Sequence, residues 1–139
     1  MQNNNQSGFS LIELILVVVI IGIVAAIAVP SLVKAKEMAE NGGAYSTMRT
    51  LATLQVRYYS SHNRFGRISE VNDGQYVNLG INVGNSVSRG RFTYTMNPAN
   101  PTDADLRSAY TLIATRPGIG TAPPTVIEVN QSGSITGVF

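Results

Sequence analysis

Residues 8–13 read Gly-Phe-Ser-Leu-Ile-Glu and open an apolar run that reaches Val29. Glu13 is the sole charge inside that run. A carboxylate within a bilayer-length helix costs about 2.5–3.5 kcal/mol on insertion scales unless something answers it. Cutting the chain between Gly8 and Phe9 would supply the answer, because it creates an α-amine four residues upstream of Glu13. The amine and the carboxylate would then form a matched pair, within one chain or between neighbours.

Elsewhere the chemistry is thin, and the chain reads as a non-enzyme that needs no cofactor. The single histidine, His62, falls near a helix end, where a cation suits the helix dipole. No paired nucleophile or acid accompanies it. Asp103 and Asp105, beside Asn97 and Asn100, are weak candidates for an oxygen-ligated calcium, but their spacing matches no ligand pattern. Aspartate in such a stretch is ordinary loop or helix-capping chemistry. Arg64, Arg67, Arg89, Arg91, Arg107 and Arg116 could gather into a basic surface for DNA, with Tyr or Phe to stack on bases. Scattered arginines are more often solvated or paired, so DNA is the weaker reading. Residues 130–132 form an Asn-Gln-Ser sequon that overlaps a turn.

The elements that must position these residues follow from hydropathy. From Phe9 to Val29 the run is long enough, at 1.5 Å per residue, to match a bilayer's hydrocarbon thickness. A secretory signal would have a basic start and a shorter apolar core. Here the start carries no Lys or Arg, and a cut ahead of the run retains the anchor. The only basic residues near the span are Lys34 and Lys36, which alone would place the C-terminal part in the cytoplasm.

A helix is expected from Phe9 to about His62. Its first half is apolar all round, with Gly22 and Ala26 one turn apart, a spacing that lets helices approach closely in lipid. Pro30 should kink it near Ala26, leaving the Gly22-to-Pro30 stretch with the weakest helical bonding. In the second half, Met38, Tyr45, Met48, Ala52, Val56 and Tyr59 form an amphipathic stripe. Gly42 and Gly43 should soften or break that half. Beyond His62, strand composition marks 76–79, 91–96, 109–115, 125–130 and 134–138, with a tight turn at Ser132-Gly133. Residues 97–106 read as the longest loop. A sheet of three or four such strands needs something to cover its apolar face, and the stripe is the available partner. The expected fold is α+β: a long N-terminal helix, kinked near Pro30, packed against a small antiparallel sheet.

With 139 residues there is room for one modest domain plus an anchor. A net charge of +2 is too small to argue by itself for a nucleic-acid partner, and the absence of cysteine removes disulfides and thiol chemistry.

The hexapeptide 8–13, its apolar continuation and Pro30 resemble the N-terminus of type IV prepilins and their relatives, the pseudopilins of type II secretion. The resemblance implies a leader at 1–8, a membrane and assembly helix at 9–30, an amphipathic half at 31–62 and a head domain at 63–139. It implies cleavage after Gly8 by a prepilin peptidase, N-methylation of Phe9, and assembly through Glu13 into a homo-oligomeric helical filament. It implies an inner-membrane assembly platform as partner, and a precursor in the inner membrane that becomes an extracellular pilus or periplasmic pseudopilus. Gly22 and Pro30 would bound a segment able to unwind in the filament. The alternatives are a pseudopilin, a minor pilin, or a membrane-anchored binding module that never polymerises.

Overall fold

The computed structural model describes residues 8–118 and 123–138. Apart from Gly8, the expected leader lies outside the described residues. The chain divides into two compact units, residues 1–39 and 40–139.

Helix α1, Leu11–His62, passes through both Pro30 and the Gly42-Gly43 pair, so the expected break at the glycines does not occur. It ends where Asn63 turns into the left-handed region (φ 54°), its N–H still bonded to the Tyr59 carbonyl. Asparagine tolerates that conformation and commonly stops helices.

In the unit of residues 40–139 the order after α1 is α2 (Ile68–Val71), β1 (Ile81–Val83), β2 (Ser86–Arg89), β3 (Phe92–Met96), α3 (Asp105–Ser108), β4 (Thr111–Arg116), β5 (Thr125–Asn130) and β6 (Ile135–Val138). The six strands form one antiparallel meander in chain order. The antiparallel sheet was expected, but it has six strands rather than three or four. Residues 76–79 are not a strand, and β1 and β2 were missed because they are only three and four residues long, β2 being mostly polar as well. The expected loop at 97–106 already contains the start of α3.

Alternation places the core. Phe92, Tyr94 and Met96 of β3, Leu112 and Ala114 of β4, and Ile127 and Val129 of β5 all point inward and are buried. Register aligns them in rows, Val87–Tyr94–Ala114–Ile127 and Met96–Leu112–Val129–Ile135. Placing Ala114 opposite Tyr94 leaves room for the ring.

The helix face that covers this sheet differs from the expected stripe. Ala44, Thr47, Met48, Leu51, Leu54, Gln55 and Tyr58 are buried. Met38, Val56 and Tyr59 are exposed, and Tyr45 and Ala52 are partly buried. The true face is turned by about one residue, roughly 100°, with Met48 at the shared edge. Hydropathy misjudged it because two polar side chains lie inward with their needs met. Thr47 donates to the Gly43 carbonyl at 2.9 Å. Gln55 donates through Nε2 to the Gly66 carbonyl and accepts the Gly66 N–H through Oε1, both at 2.8 Å.

Two stitches close the loops. The N–H of Phe65 bonds the Leu106 carbonyl at 2.8 Å, tying the segment after α1 to α3, whose Leu106 is buried. Asn72 accepts the Leu79 N–H at 2.7 Å and donates to the Gly80 carbonyl at 3.0 Å and Asn82 Oδ1 at 2.8 Å, fixing the β1 edge.

Candidate functional site

At the start of α1, Gly8, Phe9 and Ser10 precede the first helical residue and are exposed. An exposed, non-helical peptide is the form that proteases accept. Ser10 is the helix cap: its carbonyl accepts the Leu14 N–H at 3.2 Å and its hydroxyl the Ile12 N–H at 3.3 Å. Glu13 Oε2 accepts the Ser10 N–H at 2.9 Å. The carboxylate therefore satisfies an otherwise orphaned donor in the first helical turn, where the dipole also favours negative charge. This was legible as Ser-x-x-Glu over 10–13 and was missed because Glu13 was read only as a charge awaiting a cation.

Below that cap, the large apolar side chains from Phe9 to Val33 are all exposed, Phe9 at 92% and Val33 at 46%. None of the apolar window is covered by the chain itself. A Cβ added at Gly22 would meet nothing within 4 Å, so the chain's own packing does not require glycine there. Pro30 lies within the helix. It has no N–H for the Ala26 carbonyl, while one residue on, the Ser31 hydroxyl donates to the Ile27 carbonyl at 3.4 Å.

The other candidates are used structurally. Asp103 accepts from Arg67 Nη2 at 2.6 Å and lies 3.8 Å from Arg64 Nε. Asp105 holds the Thr102 hydroxyl at 2.7 Å and N–H at 2.9 Å, and these bonds lower its pKa. Among the described residues no three His, Cys, Asp or Glu side chains gather as a metal site would need. His62 stacks on Tyr58 with ring centroids 4.0 Å apart, and its Nδ1 is 3.2 Å from the Tyr58 carbonyl.

The six arginines do not form one surface. Arg64 grips Glu70 with two bonds of 2.8 and 2.9 Å, and the Arg67 N–H adds a third at 2.8 Å. The Arg64 bonds, then the Arg67 backbone, pull the Glu70 pKa down to about 2. Arg116 is buried and Arg91 exposed, and both reach Glu40 Oε2, at 3.2 and 3.4 Å. Arg89 and Arg107 are exposed.

Comparison with known proteins agrees with the geometry of the helix start. Residues 3–29 match the prokaryotic N-terminal methylation motif. The chain is 31% identical over 118 residues to the type IV major pilin protein PilA of Myxococcus xanthus, covering 84% of this chain and 48% of that protein. It is 40% identical over 65 residues to the type II secretion system core protein G of Aeromonas hydrophila, 47% of this chain and 46% of that one. It is 36% identical over 61 residues to the competence protein ComGC of Halalkalibacterium halodurans, 44% of this chain and 60% of that one. The chain spans about half the length of these curated relatives. No solved structure matches. An α+β head, an apolar helix and this motif define the class: residues 3–29 carry the prokaryotic N-terminal methylation motif, and the chain is similar to type IV prepilin-like proteins.

Proposed function

We propose that this chain is the structural subunit of a type IV pilus-like filament, held in the inner membrane by residues 9–30 before assembly. A prepilin peptidase cuts between Gly8 and Phe9, the Phe9 amine is methylated, and an inner-membrane platform lifts subunits into an extracellular helical fibre. Methylation leaves that amine cationic. The observation that carries this reading is a helical stretch, residues 11–33, whose large apolar side chains are all exposed, crowned by one carboxylate beside an exposed Gly8–Phe9 bond. In lipid those side chains need no partner; in a fibre, neighbouring helices cover them, and Gly22 leaves room for close approach. Each Glu13 then meets the Phe9 amine of a neighbour, and any register that strands it in the apolar core is penalised.

Substitution at Glu13 separates its two roles. Glu13→Gln keeps a hydrogen-bond acceptor for the Ser10 N–H but removes the charge; Glu13→Ala removes both. Both variants should be inserted and cleaved, and both should lose sedimentable fibres on shearing. Normal fibres from Glu13→Gln would reduce the residue to a helix cap and sink the pairing. Gly8→Leu should leave uncut precursor in the membrane.

A second reading, a type II secretion pseudopilin in a periplasmic pseudopilus, is favoured by the similarity to core protein G. The pilus is preferred because the similarity to the major pilin extends well beyond the N-terminal helix, over 84% of this chain. Long surface fibres on sheared cells support a pilus. Protein that remains with the cell envelope supports the pseudopilus or a non-polymerising anchor.

A further inference from the structure

Two guanidinium groups stand at the tip of the β2–β3 hairpin, where Arg89 and Arg91 flank Gly90. Gly90 turns at φ 61°, a conformation that glycine adopts without strain. Both arginines are exposed. Arg89 Nη1 donates to Thr47 Oγ1 at 3.2 Å, and among the described residues no carboxylate lies within ion-pair distance of it. Arg91 and the buried Arg116 both reach Glu40. Two cations, Arg89 and Arg91, and one anion, Glu40, stand at the hairpin. They border an open hollow of about 190 Å³ whose walls include Glu40, Gly43, Thr47, Arg89, Gly90 and Arg91. A Cβ at Gly43 would meet nothing within 4 Å, so the hollow is unobstructed on the helix side.

The apolar run gives way to Lys34 after Val33, and Glu40 follows Val33 by seven residues. Seven residues span at most roughly 25 Å in any conformation. Whatever the disposition of the two units, a bilayer that holds the apolar run keeps its headgroups within that tether of the Glu40 cluster. Lys34 and Lys36 add positive charge along the tether, against Glu37. The planar guanidinium fork matches phosphate oxygens, and the surplus charge favours lipids whose phosphate is not balanced by a headgroup amine.

We propose that the hairpin at residues 89–91 is a binding site for anionic phospholipid headgroups, engaged while the subunit waits in the bilayer and released when it leaves. This rests on the membrane-anchored reading above. The full chain has no cysteine, so Thr93→Cys, an exposed position on β3, gives a single labelling site. Energy transfer from a dye there to headgroup-labelled lipid reports approach of the hairpin to the surface. Vesicles containing phosphatidylglycerol should bring the dye closer than pure phosphatidylcholine vesicles do. The difference should vanish in 1 M salt, where the Debye length is about 3 Å. Arg89→Gln and Arg91→Gln should each weaken the lipid-dependent association about fivefold. Arg107→Gln, outside the cluster, should leave it unchanged.

Transfer indifferent to phosphatidylglycerol, or to both cluster substitutions, overturns the proposal. So does transfer that follows protein density instead of lipid charge, which would assign the hollow to a second copy of the chain. Displacement by inorganic phosphate, with no effect of phosphatidylglycerol, would assign it to a free anion and likewise overturns it. Failure of the protein to float with either vesicle would instead refute membrane anchoring itself.

Discussion

Gln55 is fully buried, and its side-chain amide makes both hydrogen bonds that Gly66 offers, each at 2.8 Å. The contact joins α1 to the chain just after it. Glycine is needed there because a Cβ would come within 2.6 Å of Val71 Cγ2 and 3.1 Å of the Tyr58 ring. Gln55→Leu keeps the volume and strands two buried backbone groups, each costing about 1–3 kcal/mol. Added apolar surface offsets part of that, so a net loss of about 2–4 kcal/mol is expected. Against a typical stability of about 5–15 kcal/mol this is large. For a unit of this size it corresponds to roughly 10–25 °C in melting temperature. The assay is thermal unfolding of the full chain in detergent, followed by tyrosine near-ultraviolet dichroism, with hydrogen exchange at the Gly66 amide. Exposed Thr53→Ala should shift stability by less than about 0.5 kcal/mol. Gln55→Glu adds a check of sign. Its carboxyl must be protonated to donate to the Gly66 carbonyl, so its folded pKa is raised. That variant should be most stable at acid pH and weaken as pH rises through the raised value. Unchanged melting in Gln55→Leu, or unchanged exchange at Gly66, would refute the reasoning.

Glu70 supplies a pH prediction. Its folded pKa is about 2 against an ordinary 4.5, so its stabilisation is complete above about 4.5 and is lost as pH falls through about 2. With the side chain 30% exposed and partly screened, Glu70→Gln should cost about 1–2 kcal/mol at neutral pH. It should also flatten the melting curve's pH dependence over that acid window; parallel titration of variant and parent would contradict the assignment. Gly42 and Gly43 are exposed, helical and free of close neighbours, so alanine at each should stabilise the unit by about 1 kcal/mol. Denaturant titration reads this directly, and a loss of stability would mean the glycines serve the chain's own fold.

The primary structure by itself determined the apolar helix, because a stretch from Leu14 to Val29 with no polar side chain, and a lone acid just ahead of it, are local facts. It also carried the stop near His62 and the alternation of Phe92, Tyr94 and Met96, since the periods of helix and strand are written into the chain. Even the capping pair of Ser10 and Glu13 was legible at its three-residue spacing. Tertiary structure alone decided which face of the helix turned inward. Gln55 and Thr47 are polar, and only their partners, the Gly66 backbone and the Gly43 carbonyl, make burial affordable. It likewise decided which arginines stay free to act. Glu40 and Asp103 are far in sequence from the guanidiniums they bind, and folding brought them within ion-pair distance. Charge counts add along a chain, but neutralisation depends on distances that only the folded sheet and helix establish.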